Sequence, residues 1–273
     1  MRTGEQKRAL ATAVRAARAA GDLMRQNWHA TKKVQAASRH DLKLELDVRC
    51  QRCIETALAA AFPRLPVLGE EGTRGDLAAP VRWVVDPIDG TVNFAYGIPH
   101  ACVSIALQAQ RAARGRPFRD EADYQTLVGV VYDPFCDELW TALRGGRARL
   151  NDRPVHVSRR NKLDEAVISL GFAKRPETRV AMLSVFNSLI PRVRKVRILG
   201  AAALGMAYVA SGRLDAYIEQ GLRLWDIAAA GLILECAGGE FWHRALPGEH
   251  TYSVLANNGL LRPRLQRIGD GGR

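Results

Sequence analysis

The sequence predicts an α+β protein, and three observations carry that prediction. Apolar residues recur with a period of two in some segments and 3.6 in others, without the strict strand–helix–strand alternation of a doubly wound sheet. Of the 273 residues, 47% are hydrophobic, enough to bury a large core. No internal repeat, low-complexity tract or flexible linker breaks the pattern, so the chain reads as one large domain or two tightly joined ones.

Taken in order, the first element is a helix over about Gln6 to Arg25, where Leu10, Val14, Ala17, Gly21 and Met24 keep helical spacing. Glu5 and Asp22 depart from the acid-poor composition of a transit peptide, so this is a folded first helix. A polar connector leads to His40. Asp41-Leu-Lys-Leu-Glu-Leu-Asp47 alternates polar and apolar residues as a hairpin or strand does. Asp47 then opens a helix that runs to Ala61 and is closed by Phe62-Pro63. Val67-Leu-Gly-Glu-Glu-Gly72 is a short apolar run ending in paired acids and glycine.

Val84 and Val85 end a buried strand, stopped by a turn that Pro87 and Gly90 mark. Cys102 to Gln108, Leu127 to Val131 and Glu138 to Leu143 are strands, and the polar, basic insertion from Arg111 to Gln125 projects into solvent. Ala166 to Leu170 is a strand, Glu177 to Ile190 a helix and Val196 to Leu199 a strand. Ala201 to Ser211 is helical and Leu214 to Glu219 extended. Trp225 to Ala237 is a helix stopped by Gly238 and Gly239. Glu240 to Trp242 and Ser253 to Ala256 complete the strands, and a short basic tail follows.

Composition excludes several classes. No apolar run approaches the roughly 20 residues that span a bilayer; the longest, Ile227 to Leu234, is Ala-rich. The five cysteines are an odd number, which fits reduced thiols in a cytosol. Cys50-x-x-Cys53 falls in a helix without a second Cys or His pair and reads as structural. The net charge of +12 raises nucleic acid as a partner. Lysine supplies only 7 of the 40 basic residues, however, so a general bias toward arginine accounts for the charge. The clusters at Arg111 to Arg119, at Arg159, Arg160 and Lys162, and at Arg192 to Arg197 lack the interleaved aromatics that stack on single strands. They read as solvated surface.

The chemistry concentrates in Trp83-Val-Val-Asp-Pro-Ile-Asp-Gly-Thr-Val-Asn-Phe94. Here an apolar run delivers Asp86 and Asp89 into a Pro/Gly segment that ends in the Thr91 hydroxyl. Acids gathered at a strand end repel one another and raise each other's pKa, a cost a cation relieves. Oxygen-only ligands favour a hard ion, Mg²⁺ before Zn²⁺. Asp, Pro and Gly are also ordinary turn residues, so a lone Asp-Pro-x-Asp-Gly would read as a turn with capping carboxylates. Two further acidic ends shift the balance: the Glu70-Glu71 turn, and Asp226 at the start of the Ala-rich segment Leu224-Trp-Asp-Ile-Ala-Ala-Ala-Gly231. Three such ends match the ligand supply of a site for two or more Mg²⁺.

With Trp225-Asp-Ile-Ala-Ala-Ala-Gly-Leu-Ile-Leu-Glu-Cys-Ala-Gly-Gly239, the first motif closely resembles the inositol monophosphatase family of Mg²⁺-dependent, lithium-sensitive sugar-phosphate phosphatases. The resemblance runs from about Ala9 to Asn258. It implies a layered αβαβα sandwich. It also implies a single domain over 1–273, with a metal-binding half at about 1–150 and a substrate-completing half at about 151–273. By the same resemblance, Glu70, Asp86, Asp89, Asp226 and the backbone carbonyl of Ile88 hold two or three Mg²⁺. Thr91 and Asp47 position and help deprotonate the attacking water, although each residue alone also reads as a helix cap. Gly90 lets the main chain approach the phosphate, and Thr91 stands at a helix start whose free N–H groups favour an anion.

For the substrate, Glu219 matches the acceptor for polyol hydroxyls, and Gly200 and Ala202 match the segment whose backbone lines the pocket, with Ala201 in place of a frequent threonine or serine. Arg223 is read as pairing with phosphate, with Glu219, or with a subunit interface. One stretch departs from the family. A pattern of Asp-x-Val-Thr-x-x-Asp leads into the Asp47 position, and this chain reads Asp41-Leu-Lys-Leu-Glu-Leu-Asp47, with leucine where threonine is usual. The lost hydroxyl loosens the water-activating network or weakens a third metal; activity is still expected.

Asn93-Phe94 resembles the inositol-type branch, so hydrolysis of inositol monophosphate is the leading expectation. Fructose 1,6-bisphosphate, NADP and histidinol phosphate are alternatives. A second class of function is a regulatory protein on RNA polymerase and elongation factors, as some bacterial members of the family are. A cytoplasmic homodimer acting on a small phosphorylated polyol or sugar, away from membranes, completes the expectation.

Overall fold

The computed structural model describes residues 1–38, 41–111, 123–172 and 175–269. Helix α1 (Thr3–Gln26) buries Ala9, Ala13, Ala16, Ala17, Ala20 and Met24, a stripe small enough to bring the helix close to a sheet. Strands β1 (Val34–Ser38) and β2 (Asp41–Leu44) pair antiparallel. The expected polar connector to His40 therefore holds a strand. Its described side chains are exposed, so no apolar alternation announced it. Helix α2 (Glu45–Ala61) starts two residues before Asp47.

There follow β3 (Val67–Gly69), β4 (Gly72–Arg74), β5 (Val81–Asp89), α3 (Thr91–Ala95), β6 (Cys102–Gln110), β7 (Tyr124–Asp133), β8 (Glu138–Leu143), β9 (Arg149–Leu150) and β10 (Arg153–Pro154). These strands form one eight-stranded sheet in the order β10-β9-β8-β7-β6-β5-β3-β4. The remaining elements are β11 (Val167–Leu170), α4 (Pro176–Leu189), β12 (Lys195–Arg197), α5 (Ala202–Ala210), β13 (Ala216–Arg223), α6 (Leu224–Cys236), β14 (Glu240–Ala245), β15 (Thr251–Asn257) and α7 (Arg262–Gly269). Their strands make a five-stranded sheet in the order β12-β11-β13-β15-β14.

Helices α1 and α2 cover one face of the large sheet, and α5 and α6 lie between the two sheets, touching strands of both. Helix α4 packs on β13 and α7 packs on α4, closing the far face of the small sheet. The layers are αβαβα, as expected. Helices α5 and α6 are apolar almost all round because both flanks are buried. The stop of α6 is a Schellman motif, in which Gly239 N–H donates to Leu234 O and Gly238 N–H to Glu235 O.

Four expectations need correction. The turn expected from Pro87 does not begin there: β5 continues to Asp89, and the reversal comes at Gly90. A bulge between Asp86 and Asp89 in the pairing with β6 removes the ladder bond that proline cannot donate. The basic tail contains helix α7, anchored by buried Leu261 and Leu265. The insertion from Arg111 to Gln125 falls mostly outside the described residues, and Tyr124 and Gln125 already belong to β7. Arg160, expected on a solvated patch, is tied by Nε at 2.7 Å to the wholly buried Asp215. Among the described residues, no helix is long and apolar enough to cross a membrane.

Candidate active site

Parallel pairing of β3 with β5, Gly69 opposite Val85, sets the ends of these strands side by side. Glu70 N–H donates to Val85 O at 3.1 Å, which places the Glu70 turn beside Asp86. Asp226 reaches the same place from the far side, in the first turn of α6. Ser104 on β6 fastens that turn by donating to Trp225 O at 3.0 Å. Glu70, Asp86, Ile88, Asp89, Gly90, Thr91, Gly200, Ala202, Glu219, Arg223 and Asp226 all line one cleft of about 350 Å³ between the two sheets. Asp47 is the sequence-predicted residue not on this wall; it lies buried at the start of α2. A second hollow of about 260 Å³, between Asn27 and Arg49, brings Glu45 together with Lys32 and Lys33 but no group of acids.

The carboxylates are held by main-chain N–H groups. Asp89 Oδ1 accepts from Ala202 N–H at 3.0 Å, and its Oδ2 accepts from Ala203 at 2.7 Å and Leu204 at 3.4 Å. An acid from the large sheet thus caps α5, where the N–H groups lack helical partners and the helix dipole favours a negative charge. Asp86 Oδ1 accepts from Ile88 N–H at 3.0 Å. Asp226 and Asp47 each use one oxygen in the same way, reaching back three residues to Arg223 N–H and Leu44 N–H at 2.7 Å. The capping role open to Asp47 from sequence is therefore present, and it occupies one oxygen of two. Among the described residues, Asp47 Oδ1 is buried with no hydrogen-bond partner.

Burial dominates the electrostatics. It pushes Asp89 up to about 6 even against three N–H donors. Asp86 rises well above the carboxylate range through burial and the charges of Glu70, Asp89 and Asp226. Asp47 is pushed up to about 8 by burial, with Glu71 and Glu70 adding to it and Leu44 N–H and Lys43 opposing it. The donor set is all oxygen and mutually repelling, which fits a hard divalent cation. Among the described residues, no three His, Cys, Asp or Glu side chains enclose a single point closely enough to hold one as they stand. A carboxylate oxygen that accepts one main-chain N–H keeps a further lone pair for a cation.

Gly90 carries the chain from these acids to Thr91. Its φ of 92° lies in the left-handed region, and a Cβ there would meet His100 O at 2.9 Å. The Thr91 hydroxyl donates to Ile88 O at 2.9 Å, which leaves the second lone pair of that carbonyl open. Helix α3 spans five residues and packs on β2, so Thr91 stands near the strand that leads to Asp47.

On the same wall, Glu219 accepts a hydrogen bond from the Tyr217 hydroxyl and lies against Gly171, where a Cβ would collide with its carboxylate. The sequence reading missed Tyr217. Its signal is the period of two: Tyr217 precedes Glu219 by two residues on β13 and so shares its face. Asn93 was also missed as a link between the halves; its Nδ2 donates to His100 O and Leu199 O, both at 2.8 Å, and so pins the turn carrying Gly200. Arg223 donates to Glu249 O and, at 2.9 Å, to Thr251 Oγ1, so its guanidinium braces the loop before β15.

An acid-floored cleft between the two sheets of an αβαβα sandwich places the protein among layered α+β folds of the inositol monophosphatase type. The inositol monophosphatase family model matches residues 5–267, and the chain belongs to that family. It is similar to proteins named Nus factor SuhB. That of Xylella fastidiosa is 39% identical, covering 96% of this chain and 94% of the relative. That of Escherichia coli K12 is 35% identical, covering 93% and 91%. Among solved structures, the extragenic suppressor protein suhB of Bartonella henselae superposes with a TM-score of 0.84 at 32% identity, covering 96% and 98% of the two chains. An inositol monophosphatase from Anabaena superposes with a TM-score of 0.79 at 32% identity, covering 95% and 94%. Family members are generally Mg²⁺-dependent and commonly dimeric.

Proposed function

We propose that the chain is a Mg²⁺-dependent phosphomonoesterase that hydrolyses inositol monophosphate to inositol and phosphate. The observation that carries this reading is one cleft whose wall brings Glu70, Asp86, Asp89, Asp226 and Ile88, with its carbonyl, together with Glu219. The acids and that carbonyl hold two or three Mg²⁺, which when bound neutralise phosphate charge and acidify water. The chain's own residues do the rest. Gly90 lets the main chain meet the phosphate closely, and Thr91 with Asp47 orients the attacking water and takes up its proton. The backbone at Gly200 and Ala202 shapes the wall, Arg223 steadies the rim, and Glu219 accepts hydroxyls of the polyol. In this reading residues 1–273 act as one unit, the first half supplying most of the metal ligands and the second completing the pocket.

Phosphate release from inositol 1-phosphate, fructose 1,6-bisphosphate, NADP and histidinol phosphate, with and without Mg²⁺, tests the assignment. The expected result is Mg²⁺-dependent release that favours inositol 1-phosphate; equal, weak rates on all four would remove the dedicated inositol role. Tyr217→Phe is expected to raise KM for inositol 1-phosphate about fivefold, the weight of one hydrogen bond of ~1 kcal/mol. Phenyl phosphate, which lacks polyol hydroxyls, should be hydrolysed unchanged by that variant, and an equal loss on both substrates would remove Glu219 from substrate recognition.

The relatives named Nus factor support a second, compatible reading, in which the protein also associates with the transcription machinery. Asp226→Asn is expected to lose hydrolysis while retaining any such association in a pull-down. A pull-down from the native host that recovers no polymerase subunit removes this second reading. A cytoplasmic homodimer is the expected working form, and light scattering on the purified chain measures its mass.

A further inference from the structure

One charged side chain in the acid cluster has no place in the chemistry above. Lys43, at the end of β2, sets its Nζ 2.5 Å from Glu71 Oε2. The Glu71 side chain is only 6% exposed, while that of Lys43 is 41% exposed, so the ammonium reaches inward from the surface to an otherwise enclosed acid. Contact with Glu71, followed by the charges of Glu71, Asp47 and Glu70, raises its pKa. The acid is fixed in place as well: Gln51 Oε1 accepts from Glu71 N–H at 2.9 Å, and Gln51 Nε2 donates to Gly72 O at 3.0 Å. The pair lies within charge reach of Glu70 on the cleft wall and of Asp47, the latter with its unpartnered Oδ1. In the pattern that leads into the Asp47 position, valine occupies the place of Lys43.

We propose that the Lys43 ammonium is a built-in cation that takes the place of a divalent ion at the Glu71 end of the acid cluster. The protein then binds its metals only in the cleft, at Glu70, Asp86, Asp89 and Asp226, and none beside Glu71. An ammonium is a compact point charge with three donors. Seated on Glu71, it supplies positive charge to Glu70 and Asp47 without any ion from solution, and it repels a divalent ion that would settle there. The inference rests on the Mg²⁺ reading of the cleft but concerns the count and placement of ions, not the reaction.

Mn²⁺ titration of the substrate-free protein, with free Mn²⁺ followed by electron paramagnetic resonance, tests it on wild type, Lys43→Met, Lys43→Gln and Lys43→Arg. Near-ultraviolet circular dichroism confirms that each variant is folded. Lys43→Met and Lys43→Gln are each expected to bind one more Mn²⁺ per chain than wild type. Failing a new step, they should bind the weakest ion at least tenfold more tightly. Lys43→Arg, which keeps the charge, should reproduce the wild-type isotherm. Isotherms of Lys43→Met and Lys43→Gln that superimpose on a Mn²⁺-binding wild type overturn this inference alone. A folded wild type that binds no Mn²⁺ overturns it together with the metal-dependent phosphatase reading. If Lys43→Met does not fold, the Lys43→Gln isotherm decides.

Discussion

Replacing Asp89 with asparagine is expected to slow Mg²⁺-dependent phosphate release by roughly 10³-fold, the scale on which removal of one preorganised charge-stabilising group acts. The same substitution should leave the metal-free protein folded, because two effects on stability oppose one another. Asparagine keeps one acceptor for the α5 N–H groups, but its amide sets a donor against another donor and the helix start loses its anion, at about 1 kcal/mol. Against this, the buried site loses one of the charges that push up Asp86. The readouts are therefore distinct. Steady-state phosphate release should collapse, the melting temperature without metal should stay within a few degrees, and the rise in melting temperature on adding Mg²⁺ should shrink. An Asp89→Asn enzyme with near wild-type turnover would remove Asp89 from the metal site.

The second large effect is a pH-dependent stabilisation by Mg²⁺ that opposes the metal-free loss of stability. Asp89 and Asp47 carry folded pKa values of about 6 and about 8, above the 3.8 of a free aspartate. Between those limits the metal-free folded protein holds protons that the unfolded chain has released. Stability from these groups is therefore fully present below about pH 4, and it is lost as pH rises through 6 for Asp89 and through 8 for Asp47. Each retained proton tilts the balance by about 1.4 kcal/mol per pH unit. A bound divalent ion favours the ionised forms, so its stabilising effect should grow over the same interval. Melting curves at pH 5, 6, 7 and 8, with EDTA and with Mg²⁺, measure both slopes. Asp47→Asn, compared in EDTA, isolates its share from the titration of the histidines. A Mg²⁺-induced shift that is constant from pH 5 to pH 8 would show that ion binding displaces no protons.

The layer order and the wall of the cleft were legible because they rest on long, specific patterns. Buried strands such as β5 and β6 carry short apolar runs, Trp83 to Val85 and Ile105 to Leu107, and α6 announces both its first-turn acid Asp226 and its Gly-Gly stop. Less was legible where the signal is not apolar. The ribbon strand β1 has exposed side chains, and α7 is a basic helix held by two leucines. Pro87 read as a strand breaker because composition does not reveal a bulge. Within the site, residue types identified the acids but not what they hold: nothing in Asp-Pro-Ile-Asp-Gly says that Asp89 caps a helix more than a hundred positions later. Lys43 looked like one polar position in an alternating strand, and only the approach of Glu71 gives it a meaning.

That long-range cap has a consequence for biosynthesis. A nascent polypeptide that has emerged only through β10 carries Asp86 and Asp89 but neither the amides of α5 nor the carboxylate of α6. Its acids have no partners from the downstream layers. On the proposed metal-dependent reading, competence to hold ions thus arises late in translation, when the last third of the message has been read and the second sheet closes over the first.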